Sequence, residues 1–369
     1  MKLTINKENF VRELAKLQGI GEKRQTMLIL SNVLITADNN KISLLSTNME
    51  VGMLASLECD VIEKGKTTVS SKSFYDICKE MPAGLLEIET DDNVLKIRAG
   101  KTEFKIPTLP ASDFPKIPLP SKTPKFSLET SKLISMMDRV IFCASTDETK
   151  YHLNSIFIDK SKAKGWLRIV STDGHRLGMV DNEIFDLEDI GVNKGILIPR
   201  KGAGELRKIL DTTDNISLMF ESGYLYVFAG TTMLFIKEMD LEYPDYMRVI
   251  PSNNDKIFKV KRTECLSALK RVSLVSTIKS RTVLLSLNQG SLVLSSKSPD
   301  QGEATEEVEV DYNKTPIEIR FNSKYIIDIL SSLTEDIVSF DMGDPLSPVV
   351  TKPEGSKLEC LYVIMPMRL

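Results

Sequence analysis

The chain reads as an α+β protein built from three similar domains, each with two short helices packed on antiparallel sheet. Three observations predict this. Two strand–turn–strand segments, NVLKIRAGKTEFKI (Asn93 to Ile106) and GYLYVFAGTTMLFI (Gly223 to Ile236), recur with an offset of 130 residues between Ala99 and Ala229. Six short helical patterns are spread along the chain, and the runs between them are rich in strand formers. A repeat of this length is the size of a whole domain used several times.

The elements follow in order. The first unit opens with NKENFVRELAKL from Asn6, continues through the strand runs VLITA and KISLLST, and reaches a second helix, SKSFYDICKEM (Ser71 to Met81). In that helix Phe74, Ile77, Cys78 and Met81 form an i, i+3, i+4, i+7 stripe. The acidic strand LLEIET follows, and then Phe114-Pro115 and Ile117-Pro118. The second unit has TSKLISMMDRV from Thr130, RKGAGELRKIL (Arg200 to Leu210), NISLMFE, and then Tyr243-Pro244 and Ile250-Pro251. The third has KRTECLSALKRV from Lys261, the strand run TVLLSL, NSKYIIDIL (Asn322 to Leu330) and DIVSFDM. Its version of the repeated strand is weaker: GSLVLSSKS (Gly290 to Ser298) sets Leu292 in the place of Leu95 and Leu225. Polar, turn-rich stretches at SKTPK and SNNDK place the boundaries, giving units 1–123, 124–252 and 253–369. Each unit runs helix, strands, helix, strands, so each is expected to be itself a duplication.

Composition excludes several classes. With 369 residues, 42% hydrophobic and 27% charged, the chain suits two or three ordinary globular domains. The net charge of -3 gives no global basicity, so any nucleic-acid surface depends on local segregation of charge. Cys59, Cys78, Cys143, Cys265 and Cys360 are scattered and never in a C-x-x-C spacing, which argues against a disulfide framework and a zinc site. Cys78 and Cys265 read as small buried hydrophobes. MKLTINKENF has no signal-peptide core, and no apolar run is long enough to span a membrane, so the cytoplasm is the expected compartment.

Size sets a geometric expectation. A unit of roughly 120 residues has a diameter of about 35 Å, so three leave no useful hole, whereas six on a hexagon leave a gap of roughly 35 Å. Duplex DNA, roughly 20 Å across, passes through the second and not the first. Two chains joined head to tail would therefore close the ring. The six helices each carry a cation near the start, namely Lys7, Lys72, Lys132, Lys201, Arg262 and Lys324. A cation there opposes the helix dipole, so its recurrence points to an external anion such as phosphate. Further along, Arg12, Lys16, Lys79, Arg139, Arg207, Lys208, Lys270 and Arg271 continue the pattern, while the sixth helix has Asp328.

Catalysis finds little support. The stretch STDGHRL offers Ser171, Asp173 and His175, but neighbours on one segment do not make a triad without convergence in space. There are two histidines, His152 and His175; there is no metal-ligand cluster and no phosphate-binding glycine loop, since GAGE at Gly202 lacks the rest of the motif. No cofactor is expected. A nucleic-acid-processing enzyme and a protein scaffold without DNA contact are the two alternatives from other classes.

Several pieces resemble one family. NQGSLVLSSKSPDQGEATEEVEVDY, RFNSKYIIDIL and the terminal VIMPMRL, with STDGHRL, YPDYMRVIP and TLPASDFPKIP, are together similar to the bacterial DNA polymerase III beta subunit, the sliding clamp family. The resemblance covers the whole chain. It implies the DNA-clamp fold: a homodimeric ring of six domains that encircles duplex DNA without sequence preference. Such a ring tethers the replicative polymerase, is loaded by a clamp loader, and docks other replication and repair proteins through short linear peptides. It implies no enzymatic activity and no membrane partner. Carried onto matching positions, the apolar part of the peptide site would be Leu153, Leu177, Pro244, Val249, Val363 and Met365. The adjoining part would be Thr172, Gly174, His175, Arg176, Asn322, Tyr325, Pro366, Met367 and Arg368, with Arg248 beside Val249. Ile364 belongs to the same terminal run and stands where valine is common; Leu28 stands where the family often has a proline. Pro366 would stiffen this wall, and the flanking methionines would give a surface able to accept several peptides. DNA contact falls on Arg24, Lys72 and Lys201, and the dimer interface on Phe104, Leu274 and Val275.

Overall fold

The computed structural model describes residues 1–21, 27–160, 164–185, 187–192, 194–276 and 281–367. All six expected helices form. The first third of the chain runs β1 (Lys2–Asn6), α1 (Lys7–Leu17), β2 (Asn32–Asp38), β3 (Lys41–Thr47), β4 (Val51–Glu58), β5 (Asp60–Glu63), β6 (Gly65–Ser70), α2 (Ser71–Glu80), β7 (Leu85–Asp91), β8 (Val94–Ala99) and β9 (Thr102–Pro107). The second runs β10 (Phe126–Glu129), α3 (Thr130–Val140), β11 (Ser155–Lys160), β12 (Trp166–Thr172), β13 (Arg176–Glu183), β14 (Ile196–Pro199), α4 (Arg200–Leu210), β15 (Asn215–Glu221), β16 (Tyr224–Ala229) and β17 (Thr232–Lys237). The third runs β18 (Lys256–Lys261), α5 (Arg262–Val272), β19 (Thr282–Asn288), β20 (Ser291–Ser298), β21 (Gly302–Glu309), β22 (Ile317–Asn322), α6 (Ser323–Ser332), β23 (Ile337–Met342), β24 (Val349–Pro353) and β25 (Glu359–Ile364).

Spatially the chain divides into two compact units. The first comprises residues 1–130, 188–192 and 201–238 and holds a five-stranded sheet, β5-β1-β7-β8-β9, and an eight-stranded sheet, β10-β15-β16-β17-β4-β3-β2-β6. The second comprises residues 131–187, 193–200 and 239–369 and holds an eight-stranded sheet, β14-β11-β12-β13-β25-β24-β23-β18, and a four-stranded sheet, β21-β20-β19-β22. Every pairing between these strands is antiparallel. Each eight-stranded sheet is two four-stranded sheets fused edge to edge, through β17–β4 in one and β25–β13 in the other. Gly52 makes the first junction possible: a Cβ there would stand 2.0 Å from the ring of Phe235 on the opposite strand.

One correction concerns the repeat. β20 does not take the place of β8 and β16. Those two strands follow the second helix of their segments, whereas β20 lies between α5 and α6 and pairs with β19 and β21. Its counterpart is β3, which occupies the same position between α1 and α2; the counterpart of β8 is β24. A glycine turn followed by alternating leucines is common to most hairpins, so it cannot say which hairpin of a duplicated unit it belongs to.

The helices form for local reasons. Asn6 caps α1 by accepting from Asn9 N at 3.0 Å, and Phe10, Leu14 and Leu17 bury one face. Ser70 caps α2, where Phe74 and Cys78 are buried, Met81 follows at the C-cap and is buried, and Ile77 is only half-buried. The rings of Phe10 and Phe74 meet edge to face at 5.6 Å, joining α1 to α2.

Five of the six cations at the helix starts have internal partners. Lys7 donates to Met81 O at the end of α2, Lys132 to Glu183 O at 3.0 Å, and Lys201 to Ile20 O at 3.0 Å. Arg262 donates to Leu330 O and Glu335 O at and beyond the end of α6, and Lys324 pairs with Asp328 at 2.6 Å. At Lys7 and Arg262 the cation therefore satisfies the carbonyl end of a neighbouring helix, which a sequence read one helix at a time does not reveal. Lys72 is exposed.

Candidate functional site

The site is built on the β12–β13 hairpin. Gly174 sits in its turn with φ +88, a conformation that favours glycine. Thr172 Oγ1 donates to Arg176 O at 2.6 Å and accepts from Gly174 N at 3.1 Å. Asp173 accepts from the backbone N–H of His175 and Arg176 at 2.9 and 3.0 Å and from Arg176 Nε at 3.1 Å. Ser171 Oγ donates to Val140 O. The three groups that suggested a triad are thus turn and core supports, and Asp173 orients a backbone, not an imidazole.

The hairpin presents Leu177 to the last strand. Arg176 stands opposite Ile364 and Leu177 opposite Val363, and Met365 N donates to His175 O at 2.9 Å beyond the strand end. Leu177 and Val363 join Val170, Met179 and Tyr246 in one buried cluster. Tyr246 begins a short 3-10 turn, Tyr246–Val249, that carries Val249 to the rim. It is held by its hydroxyl, which donates to Asp159 at 2.8 Å and faces Arg168 Nη1 at 3.4 Å. Arg168 is itself fixed by two bonds to Asp181, at 2.8 and 2.7 Å.

These elements enclose a mainly apolar pocket of ≈ 250 Å³. All six apolar residues expected of a peptide site line it: Leu153, Leu177, Pro244, Val249, Val363 and Met365. Thr172, Gly174 and Arg176 line it as well. His152, Asp245 and Tyr246 also line it, and sequence reasoning missed them, although Asp245 and Tyr246 lie inside the matched stretch YPDYMRVIP. Leu177 is 1% exposed, whereas Val249 is 42% and Met365 37% exposed, so the pocket has a fixed floor and an open apolar rim.

A second, polar pocket of ≈ 650 Å³ shares Arg176 with the first and brings in His175, Asn322 and Tyr325. Arg176 is buried between two rings, with its guanidinium carbon 4.8 Å from the centre of Tyr325 and 5.3 Å from that of Phe142. It also donates to Phe142 O and pairs with Asp328, both at 2.7 Å. The His175 and Tyr325 rings stack at 6.2 Å, and Asn322 caps α6 by accepting from Lys324 N at 3.0 Å.

Other expected site residues lie apart. Ile364 is fully buried and lines neither pocket; it faces Arg176 and Val349 across the sheet, because alternation along β25 turns it away from Val363. Arg248 is exposed and pairs with Asp245 at 2.7 Å. Pro366 and Met367 lie outside both pockets; Met367 N donates to Arg320 O at 2.8 Å. Arg24 and Arg368 fall outside the described residues. Phe104, 39% exposed, lies on β9, and Leu274, 76% exposed, projects with half-buried Val275 from the turn Ser273–Val275 after α5.

Nucleophiles and metal ligands do not gather. Burial pushes the Cys78 and Cys265 thiols up to about 12 and Cys143 higher still, so all three stay protonated. Among the described residues no group of three or more His, Cys, Asp or Glu could hold a metal, and no helix is long and apolar enough to cross a membrane.

Fused antiparallel sheets and a preformed apolar pocket define an α+β protein with a site shaped for an apolar ligand. Comparison with known proteins is specific. Family models of the DNA polymerase III beta subunit match in sequence, its N-terminal domain at residues 1–118, central domain at 127–245 and C-terminal domain at 247–368. The beta sliding clamps of Caulobacter vibrioides and Escherichia coli are 33% and 30% identical, each alignment covering 100% of both chains. Among solved structures, a sliding clamp from Bartonella birtlesii bound to griselimycin is 34% identical with a TM-score of 0.94, and one from Pseudomonas aeruginosa is 32% identical with a TM-score of 0.91. Both are covered in full, as is this chain. The chain belongs to the DNA polymerase III beta subunit family, the sliding clamps, whose members are non-catalytic processivity factors of DNA replication.

Proposed function

We propose that two copies of this chain close into a ring around duplex DNA in the cytoplasm, and that the apolar pocket captures short peptides of the replicative polymerase, the clamp loader and other replication and repair proteins. The observation that carries the docking role is the convergence of Leu153, Leu177, Pro244, Val249, Val363 and Met365 on one open pocket. Such a floor suits bulky apolar or aromatic anchors, and the polar groups beside it fix their orientation. We propose domain limits of 1–123, 124–252 and 253–369.

Ring closure has its own support in the sheets. β9, β17 and β25 are equivalent, each the last strand after a second helix; β4, β13 and β21 are equivalent, each the third strand after a first helix. Two of the three possible junctions are made within the chain, and in one register: Thr232 opposite Ala55, and its counterpart Cys360 opposite Val180. The remaining edges, β9 and β21, each end a sheet. An unpaired edge is a template for another chain. Carrying the shared register to a β9–β21 junction between two copies sets Phe104 opposite Ala304 and Lys105 opposite Glu303. Lys105 on β9 pairs with Glu103 at 3.3 Å and Glu303 on β21 with Lys297 at 3.0 Å; in the junction Lys101 and Lys105 would face the more acidic β21, with Glu303, Glu306, Glu307 and Glu309. Leu274 and Val275 follow α5, which packs on β21, and would flank this junction with Phe104.

For DNA we propose Arg24, Lys72 and Lys201 as phosphate contacts. The exposure of Lys72 supports it; Lys201 would have to release Ile20 O to take part. Phosphate contacts give affinity without base information, as a sliding body requires. The test is topological. Full-length protein is loaded by its clamp loader on nicked circular DNA, and the complex is then linearised. A ring is retained on the circle and lost from the linear form. Retention on both overturns encirclement, retention on neither favours a scaffold, and magnesium-dependent cleavage would indicate a nuclease.

A further inference from the structure

The sheet junction that carries the docking pocket has an equivalent elsewhere in the chain, and the two match pair for pair. At the β17–β4 junction Phe235 stands opposite Gly52; at the β25–β13 junction Val363 stands opposite Leu177. Both hairpins close on a threonine, with Thr47 opposite Gly52 and Thr172 opposite Leu177. One strand further out, Tyr226 faces Phe235 as Val350 faces Val363. The segment after β9 lies on the first junction, where Ile117 packs against the cluster of Tyr226, Met233 and Phe235. The segment after β17 lies on the second, where Tyr246 packs with Leu177 and Val363. Two buried aromatic rings thus stand where the docking junction has two valines.

The docking pocket is the gap between its linker and β25, with Val249 on one side and Val363 and Met365 on the other. That linker is tied away from the gap, because Tyr246 donates to Asp159 on β11, beyond β12 and β13 from β25. In the first junction the tie runs the other way. Tyr226 Oη, on β16 at the outer side of β17, donates to Pro118 O at 3.1 Å, so its ring spans the corresponding gap. Val350 has neither the length nor the hydroxyl to do so. Phe235 fills the floor: its ring tip takes the place of the side chain that Gly52 lacks, since a Cβ there would meet Phe235 Cζ at 2.0 Å. We propose that Tyr226 and Phe235 close the first junction as a copy of the peptide site, and that these two residues confine docking to one junction of each chain. The inference rests on the docking role argued above and names what excludes a peptide from the other junction. A polymerase tail and a loader tail would then compete for one pocket, since neither could hold the first junction while the other held the second.

The test is the stoichiometry of binding, by isothermal titration calorimetry on the full chain with an amidated peptide that carries a leucine–phenylalanine anchor pair. The wild type should take one peptide per chain, and Val249→Asp, which shuts the natural pocket, should take none. Gly52→Leu, Phe235→Val and Tyr226→Val together copy Leu177, Val363 and Val350 onto the first junction. Added to Val249→Asp they should restore one peptide per chain, and added to the wild type they should give two. A variant that melts cooperatively but shows no such gain overturns the closure while the docking role stands. A wild type that takes no peptide overturns the docking role, and the closure with it. Because three core changes together cost stability, a second arm uses Tyr226→Phe, which keeps the ring and removes only the bond to Pro118 O. Hydrogen exchange at the amides of Lys116, Ile117 and Leu119 should quicken about fivefold, the effect of one lost hydrogen bond. Unchanged exchange would show that Tyr226 does not hold the linker and would overturn the closure.

Discussion

Val249→Asp separates docking from folding more cleanly than any other change in the pocket. Val249 is 42% exposed at the rim, so a carboxylate there stays in water in the free chain, and the thermal transition should shift by no more than about 0.5 kcal/mol of stability. In the complex the same carboxylate faces peptide anchors in a pocket of ≈ 250 Å³ floored by Leu177 and Val363, which are both buried. Desolvating it there without a partner costs about 2–4 kcal/mol, a loss of roughly 30- to 1,000-fold in affinity. The assay is anisotropy with a polymerase-derived tail peptide beside a melting curve. Leu177→Asp is the contrast: at 1% exposure it places the charge in the core and should lower stability as well as binding. Peptide affinity within threefold of wild type for Val249→Asp, with an unchanged melt, would refute the pocket assignment.

Three further outcomes follow from the geometry. Lys105→Glu should weaken the dimer in size-exclusion light scattering and Glu303→Lys in the same chain should restore it, while Leu274→Asp with Val275→Asp should give monomers at low micromolar concentration; a double-aspartate dimer would exclude that interface. Arg24→Gln should lower DNA affinity equally across sequences and reduce its salt dependence by about one phosphate contact; a sequence-selective effect would argue against phosphate contact. Burial works to raise the Glu335 carboxyl, but hydrogen bonds from Arg139, at 2.8 Å, and from Ser356 outweigh it and hold the group at about 2 against an ordinary 4.5. A depressed folded value means stability present above about 4.5 and lost as the pH falls toward about 2. Glu335→Gln should flatten that part of the acid denaturation curve, and an unchanged slope would show that the pair contributes nothing.

The sequence by itself determined the helices, part of the strands and the six apolar residues of the pocket. The apolar stripe of α2 is a local signal, and local signals survive without tertiary context. Matched motifs brought Leu153, Leu177, Pro244, Val249, Val363 and Met365 onto one list, although 210 residues separate Leu153 from Val363. Tertiary structure alone decided the rest. It turned Ile364 inward while leaving Val363 at the pocket, because a strand alternates and only its pairing fixes which face is the core. It moved GSLVLSSKS from the place of β8 to that of β3, since hairpin patterns are interchangeable until the partner strand is known. It gave the cations at the helix starts internal acceptors such as Met81 O and Leu330 O, which lie far along the chain from Lys7 and Arg262. It also collected Lys150, Arg200 and Arg281 around one pocket: electrostatic fields act through space, and spacing along a sequence does not record which charges will share a cavity.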